Sequence, residues 1–242
     1  MRPSFRNLHE SFEGWAYRNG FLRELALLEK RRFVERRTAT DRIYRLTAEG
    51  RLHALGGRDP EAQWSRPWDG RWRLVCFDVP IAKNKQRRRL RRYLHSKGFG
   101  YLQHSIWITP DKLAEEMRLF RSTKTDVESL ILLEARACAG ESDADVVAGA
   151  WDFDAINRRY RWHLKILAGR PAGRVRSQAE ATALRRWAEA ERMAWSKAIT
   201  ADPLLPKRLL PRGYLGQLAW RRRTKALKLA SRDRESFRTE QM

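Results

Sequence analysis

The sequence predicts an α+β protein in three parts, and three observations lead to that class. Residues 21–54 pass from helical spacing to short strands around a basic tip and back to a helix. Residues 68–139 alternate apolar strands with amphipathic helices, and from about residue 149 apolar residues recur three and four apart. The 242 residues exceed what one compact core needs, so several small domains are expected. The expected divisions are 1–57, a linker at 58–67, a central domain at 68–139 and a helical C-terminal domain at 149–242. The linker "RDPEAQWSRP" carries two prolines and no periodicity.

Composition narrows the partner. The chain is 42% hydrophobic and holds ten tryptophans, which excludes global disorder. Lys and Arg number 51 against 29 Asp and Glu, a net charge of +22. Such an excess repels itself in a compact state, and a polyanion, most commonly nucleic acid, is the usual counterpart. No run of about 18 apolar residues is present to span a membrane, and no amphipathic helix has a bulky apolar face free for one. The start, "MRPSFRNLHE", lacks the apolar stretch of a signal peptide. Cys76 and Cys138 fall in expected buried strands and read as core residues, which fits a reducing cytoplasm.

The first part is read residue by residue. Phe21, Leu22, Leu25 and Leu28 give a helix one apolar face. "FVERR" is extended, "TATD" is a polar tip, and "RIYRLT" returns as a second strand. Thr47 is placed to cap a helix beginning "AEGRL". Helix, strand, basic tip, strand, helix is the order of a winged helix, here a short one. In such a domain a helix enters the major groove and the wing lies on phosphate. Arg18, Asn19 and Arg23 occupy the leading end of the helix, and Arg36, Arg37 and Arg42 surround the tip. These six are the candidate DNA contacts. If about six phosphates were neutralised, log affinity would fall with log salt at a slope near −5.

The central part reads as strand "RWRLVCFDV", helix "NKQRRRLRRYLHSKG" stopped by Gly98, strand "YLQHSIWIT", helix "PDKLAEEMRLFRS" and strand "VESLILLEARA". That order predicts a ferredoxin-like sandwich with helices on one sheet face, the other face open to a second copy. "QRRRLRRYL" reads as a solvated helix face with Leu90, Tyr93 and Leu94 inward, a second anion-binding surface being the alternative. Asp78 ends the first strand. A lone carboxylate makes a weak magnesium site, and His104 nearby prefers softer metals, so no metal is expected. Two amphipathic helices follow, "DFDAINRRYRWHLKILAG" and "SQAEATALRRWAEAERMAWSKAI", and then "DPLLPKRLLPRG", a rigid non-helical connector.

Several of these stretches resemble known families. "FDVP", a basic helix and "GFGYLQHSIWIT" resemble the small CRISPR spacer-acquisition nuclease-like subunits, in which paired aspartates of a dimer hold a divalent cation; Phe77, Asp78 and Val79 match that triplet. Leu28, Glu29, Phe33, Val34, Tyr44, Arg45, Leu46, Thr47, Glu49 and Gly50 resemble the wing half of bacterial winged-helix regulators. Trp68, Asp69, Gly70, Arg71 and Trp72, then "LVCFDVP", "GFGYLQHSIWITP", "AWDFDAINRRY" and "DPLLPKRLLPRGYLGQLA", are similar in order to the PaaX family, repressors of phenylacetic acid catabolism. The chain departs from that pattern at Tyr214, where a tryptophan is common, and at Arg32, where a glycine usually precedes the wing.

The resemblance implies a homodimeric DNA-binding repressor released from its promoter by an aryl-acyl coenzyme A. Trp162, Trp187 and Trp195 are the candidates to line an aromatic effector pocket, with ordinary core as the competing role. The loop "RPAGRVR" is a candidate for coenzyme phosphates. Two other functions compete: a metal-dependent nuclease on the central module, and a scaffold that binds any nucleic acid. No glycine-rich phosphate loop, no paired cysteines at zinc spacing and no nucleophilic triad stand in the sequence, which weakens the enzyme reading only modestly, since catalysis does not require short-range motifs. With the regulator reading, neither an enzyme nor a cofactor is expected.

Overall fold

Helix α1 (Phe21–Lys30) presents half-buried Leu25 and Leu28 and ends in a Schellman closure. The Phe33 amide donates to the Leu28 carbonyl at 2.9 Å and the Arg32 amide to that of Glu29 at 2.8 Å. Arg32 makes this turn at φ 57, the left-handed conformation that favours glycine. The chain then enters β1 (Val34–Arg36), which pairs antiparallel with β2 (Tyr44–Leu46), Val34 opposite Leu46 and Arg36 opposite Tyr44. Helix α2 (Ala48–Ala54) starts at Thr47, whose hydroxyl accepts from the Gly50 amide at 2.9 Å and donates to the Arg32 carbonyl at 2.5 Å. Gly50 must be a glycine, because a Cβ there would lie 1.8 Å from the Phe33 carbonyl oxygen.

These elements belong to one of two units, Met1–Asp59 and Pro60–Met242. The computed structural model describes residues 21–36, 44–54, 57–78, 84–113, 129–137, 140–173 and 175–239. The expected ribbon tip and most of the expected helix at 110–122 lie outside the described residues.

In the second unit the expected linker is in fact structural. Pro60 opens helix α3 (Pro60–Ser65), a position where its missing N–H costs nothing. Trp64 on that helix is buried, and its Nε1 donates to the Tyr214 hydroxyl at 3.1 Å. Proline punctuation had hidden a one-turn anchor.

The sheet follows: β3 (Trp72–Asp78), helix α4 (Asn84–Ser96), β4 (Gly100–Gln103), β5 (Ile106–Thr109) and β6 (Ser129–Ala135). The strand order is β4-β5-β3-β6, every pair antiparallel. The expected single strand at 101–109 is therefore a hairpin. It reverses at His104 and Ser105, with His104 at φ 47, and carries an irregularity between Tyr101 and Gln103. No Gly, Pro or Asn marks the turn; His is among the residues that tolerate this conformation.

Alternation along β3 divides the core. Val75 and Phe77 pack with Leu90 and Leu94 of α4 and with Phe99 and Trp107. Trp72 and Leu74 face the other way and join Ile108, Trp151 and the C-terminal helices in a larger core. The second sheet face is thus partly covered by this chain's own tail. Towards the Asp78 end it is not: Ile131, opposite Cys76, is 51% exposed, and Leu133, opposite Leu74, is 49% exposed.

The tail comprises α5 (Asp143–Ala150), α6 (Phe153–Ala168), α7 (Gln178–Ala201), a 3₁₀ turn at Lys207–Leu209 and α8 (Gly216–Thr239). Sequence reading missed α5, although Ser142 and Asp145 form a capping box at its start. The proline-rich connector wraps a buried carboxylate. Asp202 accepts from the Tyr160 hydroxyl at 2.5 Å, from the Tyr214 hydroxyl and from the Leu204 amide at 2.8 Å. Tyr214, which replaces the usual tryptophan, thereby gains a polar role in the core. A second buried cluster joins α6, α7 and α8: Glu191 bonds His163 at 2.9 Å and Arg223 at 2.8 Å. Burial pushes the Glu191 carboxyl up, but His163 and Arg223 together hold it below its ordinary value.

Candidate nucleic-acid interface

Of the six candidate DNA contacts, Arg23 and Arg36 are described; Arg18, Asn19, Arg37 and Arg42 lie outside the described residues. Arg23 is exposed on α1. Arg36 leaves the ribbon at the end of β1 and is held from two sides. Its Nε donates to Glu29 Oε1 at 3.1 Å, and its guanidinium lies over the Tyr44 ring at 5.5 Å. The bond to Glu29 is the chief cause of its raised pKa. Arg45 is likewise paired with Glu35 at 2.8 Å. Both pairs lie at the surface, where solvent screening leaves each weak enough to yield to phosphate.

Asp78 is exposed at the end of the β3 ladder, opposite Ser129. Among the described residues no three His, Cys, Asp or Glu side chains converge as a metal site. His104 serves the hairpin turn, and its carbonyl accepts from Arg91 at 3.2 Å. Cys76 is half-buried, with burial pushing its thiol pKa up; Cys138 lies outside the described residues.

The three candidate effector tryptophans do not share a pocket. Trp162 is 57% exposed, on the side of α6 away from buried Tyr160, His163 and Leu167. Trp195 is 1% exposed and packed against Tyr160, Trp220 and Arg223 in the main core. Trp187 lies two turns earlier on α7, about 12 Å along the helix, and belongs to a separate cluster with Leu167, Val175 and Leu184. It lines a cavity of about 700 Å³ together with Val175, Leu184, Arg185, Leu227 and Ser231. Of the loop arginines, Arg170 is already bound to Asp233 at 2.5 Å, and Arg174 lies outside the described residues. Helical spacing alone could separate Trp162 from the other two; only the packing of α8 separates Trp187 from Trp195.

Helix α4 carries the basic face that the sequence reading gave to solvent, with a second anion-binding surface as the alternative. Leu90 and Leu94 are buried and Tyr93 half-buried, as its spacing predicts. Lys85, Arg88, Arg89 and Arg92 all lie on the exposed side at i, i+3, i+4 and i+7, and the helix contains no acidic residue.

Residues 65–147 match the family described as the PaaX protein central Cas2-like domain. No curated protein matches the chain. A solved structure, "Uncharacterized protein Rv0674 from Mycobacterium tuberculosis", is similar over 91% of this chain and 84% of that one, with a TM-score of 0.59 and 22% identity. That likeness concerns the fold. No described helix is long and apolar enough to cross a membrane.

Proposed function

We propose that the chain, whose residues 65–147 match the PaaX protein central Cas2-like domain, is a cytoplasmic transcriptional repressor that binds double-stranded DNA as a homodimer and is released by an aryl-acyl coenzyme A. The match of residues 65–147 carries this reading. The first unit supports it with a basic antiparallel ribbon between two helices, the arrangement of a short winged helix. The ribbon positions the protein on phosphate, and Arg23 on α1, with Arg18 and Asn19 before it in the sequence, is the candidate to read base edges. The open end of the sheet, with Ile131 and Leu133 exposed, supports pairing with a second copy. The apolar cavity beside Trp187 suits the aryl end of an effector.

The test is a genome-wide footprint of the purified protein, with and without phenylacetyl coenzyme A. The expected result is protection of an inverted repeat upstream of an operon, lost on adding the thioester and kept on adding free coenzyme A. Equal protection of unrelated duplexes would turn the reading into the scaffold alternative. Magnesium-dependent cleavage abolished by Asp78→Ala would turn it into the nuclease alternative.

A further inference from the structure

The reading head carries little of the charge that prompted a nucleic-acid partner. Residues 1–59 hold 13 of the 51 basic and 8 of the 29 acidic residues, a net charge of +5. The remaining +17 lies in residues 60–242. Much of it is concentrated on α4, "NKQRRRLRRYLHS".

Lys85, Arg88, Arg89 and Arg92 form one unbroken stripe on the solvent side of that helix, about 10 Å long at 1.5 Å per residue. Every neighbouring pair along it, Lys85 with Arg88 and Arg89, and Arg92 with Arg88 and Arg89, is a like-charge pair that destabilises the helix. A solvated surface helix ordinarily relieves such repulsion with acids three or four residues away, and α4 has none. Among the described residues no acid is paired with any of the four, whereas Arg91, off the stripe, is tied to the His104 carbonyl. The helix stays folded because Leu90 and Leu94 anchor it on the sheet. The stripe is therefore a rigid row of cations with no counter-charge among the described residues.

The exposed residues around the stripe, Asn84, Gln86, His95 and Ser96, are polar, and no exposed apolar side chain on α4 is available to enter a lipid interface. A spaced row of guanidinium groups on a rigid rod fits a backbone of regularly spaced phosphates. We propose that the α4 stripe is a second duplex-DNA contact, which grips phosphates apart from those met by the ribbon of the first unit. This rests on the DNA-binding reading above and adds to it a site on the central domain. Because α4 covers the sheet face opposite Ile131 and Leu133, two copies paired through those residues carry their stripes on the outside. The duplex is then held at the body as well as at the reading head.

The experiment measures binding of the full chain to a mixed-sequence duplex of about four helical turns across a range of sodium chloride. Each neutralised phosphate contributes a log–log slope of about 0.9. The K85Q/R88Q/R89Q/R92Q variant is expected to bind with a slope shallower than the parent by about 3.6, and R88K/R89K/R92K to keep the parental slope. Should the quadruple variant lose its far-UV circular dichroism, R88Q and R92Q singly are each expected to lower the slope by about 0.9. A parental slope in the neutralised variants overturns the inference and leaves the DNA-binding reading standing. A parent that binds no duplex at low salt overturns both. Loss of binding to phosphatidylserine vesicles in the quadruple variant, with duplex binding unchanged, would reassign the stripe to lipid.

Discussion

Helices α1 and α4 end in the same way and are held very differently. In each, the residue after the last turn adopts φ > 0 and the next amide reaches back five residues: Phe33 to Leu28 at 2.9 Å, Phe99 to Leu94 at 3.1 Å. At the end of α4 the left-handed residue is Gly98, at φ 84, and the accompanying apolar pair is buried, Phe99 at 5% and Leu94 at 0%. At the end of α1 it is Arg32, at φ 57, and Phe33 and Leu28 are only half-buried. A non-glycine residue in that conformation costs about 1–2 kcal/mol. The body thus closes its helix with a relaxed glycine over a dry core, while the N-terminal unit closes its own with a strained arginine over a thin one. The N-terminal unit is expected to open first, and its order depends on a few backbone contacts.

The most severe test of that difference is Gly50→Ala. Its new Cβ would sit 1.8 Å from the Phe33 carbonyl oxygen, backbone against backbone, so α2 must leave β1. The expected loss is about 3 kcal/mol or more, in the range reserved for forced steric disruption. Amide exchange over residues 44–54 should rise to that of an open chain and protection of the inverted repeat should vanish, while the duplex contact of α4 and the protection of Phe99 in the body stay parental. Protection that survives at residues 44–54 would mean that the first unit is held by more than this approach.

Exchanging the two closures comes next in size. Gly98→Ala places a side chain in the left-handed region and should cost the body about 1 kcal/mol, after allowing for the lower entropy of its unfolded chain. Arg32→Gly should do the reverse and stabilise the first unit by about 0.5–1 kcal/mol. Exchange rates of the Phe99 and Phe33 amides report the two effects separately. If Arg32→Gly loosens Phe33 instead, the arginine side chain supplies more than the turn costs it.

What the sequence disclosed follows from the range of each interaction. Thr47 as a helix cap, Leu90 and Leu94 as an inner face, and Gly98 as a helix stop are local signals, and the structure places each as its spacing implies. Arg32 was visible as a departure before its φ was. The hairpin at His104 was not legible, because its turn uses a residue that carries no strong turn signal. Helix α3 was hidden because its reason to exist is distant: Trp64 meets Tyr214 across 150 residues. The candidate site divides similarly. Cations could be found by counting, but whether an acid already holds them could not; Arg36 is engaged by Glu29, and the α4 stripe by no acid among the described residues. Nor could spacing tell that Trp187 and Trp195 serve separate clusters.

The smallest effect sharpens the same contrast through ion pairs. Those of the first unit, Arg36–Glu29 and Arg45–Glu35, lie at the surface, with Glu29 alone half-buried. In the body Arg73 is 4% exposed and held between Asp69 at 2.5 Å and Glu134 at 3.1 Å, with the Pro110 carbonyl at 3.2 Å. The hydrogen bond from Arg73 holds the Asp69 carboxyl down at about 2, and Arg71 and Arg73 hold Glu134 below its ordinary value. A carboxyl with a depressed folded pKa contributes stability above its unfolded pKa and loses it as pH falls through the folded one. For Asp69 that window runs from about pH 4 down to about pH 2. Asp69→Asn should therefore melt slightly below the parent at neutral pH, and the difference should close across that window as the parent's own carboxylate takes up a proton. Melting curves of the two proteins at matched ionic strength read this directly. A constant difference down to pH 2 would mean that Asp69 stabilises the turn at Gly70 by shape alone, and that the buried guanidinium draws its counter-charge from Glu134.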